Sequence, residues 1–75
     1  MAIRSFFYCI TVSYNFNEGT IRETHWETYQ AKSGDTQAKI FEKIFRDVNN
    51  KINLNRGQDI GDMIVINYYI APNKL

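Results

Sequence analysis

Cysteine, proline and histidine occur once each in these 75 residues, and each scarcity removes a class of explanation. Cys9 has no partner for an internal disulfide, so stability must come from packing or from association. A single thiol suits a reducing compartment, and a cytoplasmic location is expected. With His25 the only imidazole and no second thiol, the Cys/His ligand sets of structural zinc cannot be assembled, and neither a metal nor another cofactor is expected. Excess charge of one sign is also missing. Nine Lys and Arg face eight Asp and Glu, for a net charge of +1, without the basic footprint of a dedicated duplex-binding protein. No apolar run approaches the ~18 residues of a membrane span. The apolar stretch from Met1 to Ile10 is interrupted by Ser5 and passes into Thr11 and Ser13 with no cleavage site, so no targeting segment is expected. Repeats, low-complexity tracts and linkers are absent, and residues 1–75 read as a single domain.

What is present is a core. Hydrophobic residues make up 44% of the chain and aromatics 15%, which is too apolar for disorder. From Ile3 to Phe16 the even positions Phe6, Tyr8, Ile10, Val12, Tyr14 and Phe16 alternate with mixed odd ones, the period of a strand. Asn17-Glu18-Gly19 supplies a turn in which Gly19 is available for positive φ. Thr20 to Ala31, rich in Thr with Trp26 and Tyr29, reads as the return strand. Its facing depends on the loop. A three-residue loop pairs Phe16 with Thr20 and Ile10 with Trp26, turning Trp26 to the core; a two-residue loop turns Ile21, His25 and Tyr29 inward. The first is preferred, because the second also brings Glu23 and Glu27 to the core face.

Ser33 to Ile52 has helical periodicity. Ile40, Phe41, Ile44, Phe45, Val48 and Ile52 form one stripe, with Lys39, Lys43, Arg46, Asp47 and Asn50 opposite. Ser33, Asp35 and Thr36 are candidate caps. The helix is expected to end near Asn50 or Ile52, where an Asn-rich run leads to Gly57. A polar loop follows from Asn53 to Asp62, with Ile60 capping the core. Met63 to Ala71 is the last strand, with Ile64, Ile66, Tyr68 and Ile70 toward the helix and Pro72 ending it.

The fold class is therefore α+β: a β-β-α-β two-layer sandwich with a three-stranded mixed sheet in the order 2-1-3 and the helix packed on one face. A right-handed helical crossover makes the second and third strands parallel, and the most apolar strand, the first, fits between them. One sheet face stays uncovered, and Phe7, Cys9, Met63, Val65 and Tyr69 are expected there, joined by Tyr29 if Trp26 points inward. That contiguous apolar set reads as a partner-binding surface.

Chemical sites are sparse. Glu23, His25 and Glu27 alternate on one strand face, but a metal needs further ligands and the set reads as a solvated charged face. Cys9 and His25, on one face in the preferred register, read as a structural thiol beside a surface histidine, and no catalytic residue is expected. Lys39, Lys43 and Arg46 form a basic helix stripe, a secondary candidate surface interrupted by Glu42 and Asp47. The glycines between Arg56 and Asp62 lack the lysine and spacing of a phosphate loop. The chain is thus expected to be a non-enzymatic protein-binding module that acts by occupying a partner's surface, as a monomer or a homodimer. Its size and class match those of phage and mobile-element accessory proteins, among them anti-CRISPR inhibitors. A small RNA- or single-stranded-DNA-binding protein using the sheet aromatics ranks second.

Overall fold

The computed structural model describes residues 3–73. It contains β1 (Ile3–Phe16), β2 (Gly19–Lys32), α1 (Gln37–Arg56) and β3 (Met63–Pro72). The sheet order is β2-β1-β3, with β1 antiparallel to both neighbours. The outer strands share a direction without touching, as the expected crossover demands, so every ladder is antiparallel and the sheet is not the mixed one expected. The β-β-α-β order and the central position of β1 are those read from the sequence. The two 14-residue strands of the hairpin account for the 45 Å long axis of the molecule, since a strand rises roughly 3.3 Å per residue.

The hairpin closes through two residues. Phe16 pairs with Gly19, and Asn17 and Glu18 take the turn with φ of 51° and 65°, the paired left-handed conformation whose twist matches that of the strands. Gly19 is the first residue of β2. This overturns the preferred three-residue loop and inverts β2. Ile10 pairs with His25 and Tyr14 with Ile21, while Trp26 pairs with Cys9 on the other face. The objection to this register was that it brings Glu23 and Glu27 to the helix side. Both carboxylates are held there by partners rather than buried: Glu23 by Tyr14, His25 and Arg56, and Glu27 by Lys51.

A bulge shifts β3 as well. Thr11 pairs with Asn67 but Val12 with Val65, leaving Ile66 as the extra residue. N-terminal to the bulge the alternation changes phase. Met63 is 8% exposed and in the core, and Ile64, expected inward, is 63% exposed. Tyr68 and Ile70 keep the core facing read from the sequence.

Thr36 caps α1, its Oγ1 accepting from the Lys39 amide at 3.2 Å. The helix runs beyond Ile52 to Arg56. Its end is tied down by Asn53, whose backbone oxygen accepts from Gly57 and Gln58 while its Oδ1 accepts from the Ile60 amide at 3.0 Å. Gly57, at φ 71°, is the left-handed C-cap. Ile40, Ile44, Val48 and Ile52 are buried against Tyr8, Ile10, Val12 and Tyr14, and Ile60 closes one end as expected. Each aliphatic side chain fully buried there contributes roughly 1.5–3 kcal/mol. Phe41 and Phe45 are half-buried toward β3, where the Phe41 ring meets Tyr68 edge-on at 4.8 Å.

Candidate binding face

The sheet face away from α1 carries the odd positions of β1 and the even positions of β2. Its centre is a transverse row, Trp26–Cys9–Tyr69, one residue from each strand. Trp26 is 66% and Tyr69 57% exposed. Phe7 lies next to this row on β1, between Thr28 and Ala71, and Ile64 adds apolar area beyond the bulge. The rest of the face is hydroxyl and amide. Thr11 and Thr24 are joined through their hydroxyls at 2.9 Å, the Thr20 hydroxyl donates to Asn15 Oδ1 at 3.1 Å, and Ser5, Ser13, Thr28, Gln30 and Asn67 complete it. Arg22 and Lys32 are its charges at described strand positions, and no carboxylate stands among them. The acidic residues of β2, Glu23 and Glu27, are both on the helix side.

Three of the six residues expected on the uncovered face, Phe7, Cys9 and Tyr69, lie on it. The other three do not. Tyr29 pairs with Phe6 and packs against the core because the shorter turn inverts β2. Met63 and Val65 face the core because the bulge changes the phase of β3. Trp26 and Ile64 take their places. The signal for Trp26 was the turn: if Asn17 and Glu18 alone make it, every even residue of β2 is outward. For Ile64 there was none, since four consecutive apolar residues, Met63 to Ile66, conceal any alternation.

The remaining candidates are placed as follows. Cys9 and His25 lie on opposite faces, so the pair considered from the sequence is not brought together. Among the described residues no group of His, Cys, Asp and Glu has the arrangement of a metal site. His25 Nε2 instead lies 3.1 Å from Glu23 Oε1. Glu23 also accepts from the Tyr14 hydroxyl and from Arg56 at 3.3 Å, and Arg56 Nε donates to the Tyr14 hydroxyl at 3.0 Å. The Arg56 guanidinium lies over the Phe16 ring, 4.9 Å from its centroid. Partial burial works to raise the Glu23 pKa, but the hydrogen bonds from Tyr14, His25 and Arg56 outweigh it and hold the carboxyl below its ordinary range. This cluster fastens β2 to the end of α1. Of the basic helix stripe, Lys43 pairs with Asp35 at 3.7 Å and Arg46 with Glu42 at 3.3 Å, while Lys39 is exposed. Pairing with carboxylates reduces the field this stripe can present.

These features define a two-layer α+β protein with one sheet face covered by a helix and the other, among the described residues, bare. No protein-family model matches the chain, and neither a curated protein nor a solved structure is similar to it. Among the described residues, no helix is long and apolar enough to cross a membrane.

Proposed function

We propose that the protein is a binding module whose bare sheet face, centred on Trp26, Cys9 and Tyr69 with Phe7 beside them, seats a protein partner and acts by occupying that partner's surface. One observation carries this reading: three exposed aromatics form a contiguous group on a face whose described strand positions hold no carboxylate. Cores of protein interfaces are depleted in charge and enriched in aromatics, and each such side chain gains roughly 1.5–3 kcal/mol when fully buried. The surrounding threonines and amides resemble a polar rim. Binding rather than catalysis is the role these residues fit, because the face combines no nucleophile with a base. Size and class remain those of the accessory inhibitors of phages and mobile elements, anti-CRISPR proteins included, and that narrower role is part of the proposal.

The test is co-purification from the native cellular background with the wild-type chain and with Trp26→Lys and Tyr69→Lys, both at exposed positions. A protein retained by the wild type and lost by both variants supports the reading. A partner retained equally by all three overturns it.

The same aromatics favour a second reading, in which unstacked bases of a single strand lie on Phe7, Trp26 and Tyr69 beside Arg22. It ranks below the first because a phosphate backbone needs several cations. Under this reading Trp26 fluorescence is quenched by an oligonucleotide at low salt and recovers as salt is added; unchanged fluorescence at low salt ends it.

A further inference from the structure

The outer edge of β2 carries a second set of interactions, made by backbone rather than side chains. In the tight hairpin Phe16 and Gly19 exchange hydrogen bonds, so the odd residues of β2 bond β1 and the even ones direct N–H and C=O outward. Lys32 bears this out at the far end: its outward amide donates to Asp35 Oδ2 and its carbonyl accepts from the Asp35 amide, both at 3.0 Å. Asp35 therefore closes the edge at one point. From Thr20 to Gln30 the outward groups meet no other strand, because β2 is the end strand of the sheet. The other edge is protected differently. β3 is shorter, with a bulge at Ile66 and Pro72 at its end, devices that blunt an edge against pairing. β2 between Thr20 and Gln30 has neither a proline nor a bulge.

We propose that this edge pairs with the same edge of a second copy, antiparallel about a two-fold axis at Trp26, giving a continuous six-stranded sheet. The charges on β2 and the length of the free ladder together choose the register. Side chains must keep their faces, so only alternate registers are allowed. A two-fold at His25 sets Glu23 against Glu27 twice, and two-folds at Glu23 or Glu27 set each carboxylate against itself; like charges directly opposite are unfavourable. The Trp26 register has no like pair. It places His25 opposite Glu27 twice and Thr24 opposite Thr28 twice, and is closed by about ten backbone hydrogen bonds. A Thr24 register also avoids like pairs, but it sets Ile21 opposite the Glu27 carboxylate; two-folds nearer the strand ends, at Ile21, Thr28 or Tyr29, avoid them too but shorten the ladder to about six backbone hydrogen bonds or fewer. About Trp26 the two transverse rows join end to end, so that Tyr69, Cys9 and Trp26 of one copy continue into Trp26, Cys9 and Tyr69 of the other. Both bare faces then lie on the same side.

The inference goes beyond the docking face and does not depend on it, since Tyr69 takes no part in the edge. The wild-type chain should sediment at twice its 8.8 kDa mass at micromolar concentration; a monomer there overturns the proposal. Thr24→Pro and Thr28→Pro each remove one outward amide while sparing the bonds to β1, and are expected to give folded monomers by circular dichroism and sedimentation. A folded dimer of either variant overturns edge pairing. Should both fail to fold, His25→Cys with Glu27→Cys in a Cys9→Ser background decides the matter. Oxidation is expected to join two chains through these opposed positions, whereas absence of a cross-link, or its appearance only with Glu23→Cys and His25→Cys, overturns the Trp26 register. Tyr69→Lys should leave the dimer mass unchanged while abolishing partner capture, which separates failure of the edge from failure of the face.

Discussion

Trp26 and Tyr69 flank Cys9 on the bare face, each paired with it across a different strand ladder. Two large rings are thus held by backbone hydrogen bonding on either side of a small side chain, in the middle of the sheet. The arrangement depends on the Asn17-Glu18 turn, which sets the β2 register, and on β3 being in phase with β1 C-terminal to the bulge. Its stability is therefore set remotely, by backbone geometry and by the core beneath, rather than by contacts among the rings.

Truncating Trp26 should cost little. At 66% exposure the indole adds little to the core of the protomer, so Trp26→Ala, made in the monomeric Thr24→Pro background where no Trp26–Trp26 pair forms, is expected to change unfolding free energy by less than about 1 kcal/mol in urea. A Trp in the core would cost about 3–5 kcal/mol on the same truncation. A loss in that range would mean that Trp26 is buried and that the register is the inverted one.

Glu18 pays for its place in the turn, with φ of 65° on a residue that has a Cβ. Glu18→Gly gives the Asn-Gly dipeptide that this turn favours and relieves a left-handed conformation worth roughly 1–2 kcal/mol. After the entropy cost of an added glycine, a gain of about 0.5–1 kcal/mol is expected, read as a higher urea midpoint with an unchanged slope. No gain, or a loss, would show that the Glu18 backbone is not strained.

The strands, the helix and their order were legible because each has its own period: two in Phe6 to Phe16, and near 3.6 in Ile40 to Ile52. Register was not legible. Gly19 looked like the turn residue because glycine tolerates positive φ, yet the structure gives that conformation to Asn17 and Glu18. One residue of loop length then inverted β2 and exchanged Tyr29 for Trp26 on the bare face. The carboxylate argument failed for a related reason. Glu23 and Glu27 were judged by the cost of burial, but Arg56 and Lys51, distant in sequence, reach them from α1.

That fastening predicts an acid limb in the stability curve. Glu23 titrates below its ordinary value of 4.5 on balance, the hydrogen bonds from Tyr14, His25 and Arg56 outweighing partial burial. Glu27 is lowered first by its hydrogen bond from Lys51. A carboxyl whose folded pKa lies below its unfolded one stabilises the fold above the unfolded value, and that contribution is lost as pH falls through the folded one. Stability should therefore decline as pH drops below about 4.5. Glu23→Gln should be less stable at neutral pH and show a shallower decline. An acid limb of unchanged slope in that variant would remove Glu23 from the account.

Val65 and Tyr69 test the two faces of β3 against each other. Val65 pairs with Val12, which is fully buried, and packs against the core. Tyr69 pairs with Cys9 on the bare face and is more than half exposed. A carboxylate at position 65 would lie against the apolar core beside Val12 and must desolvate, at a cost of several kcal/mol, a large part of the ~5–15 kcal/mol that holds a small domain folded. Val65→Glu is accordingly expected to unfold the chain, or to lower its melting temperature by tens of degrees, as about 1 kcal/mol moves a domain of this size by about 4–8 °C. Tyr69→Glu replaces an exposed side chain and should melt within a few degrees of the wild type. Thermal denaturation followed by circular dichroism distinguishes the two, and equal sensitivity at both positions would place them on the same face.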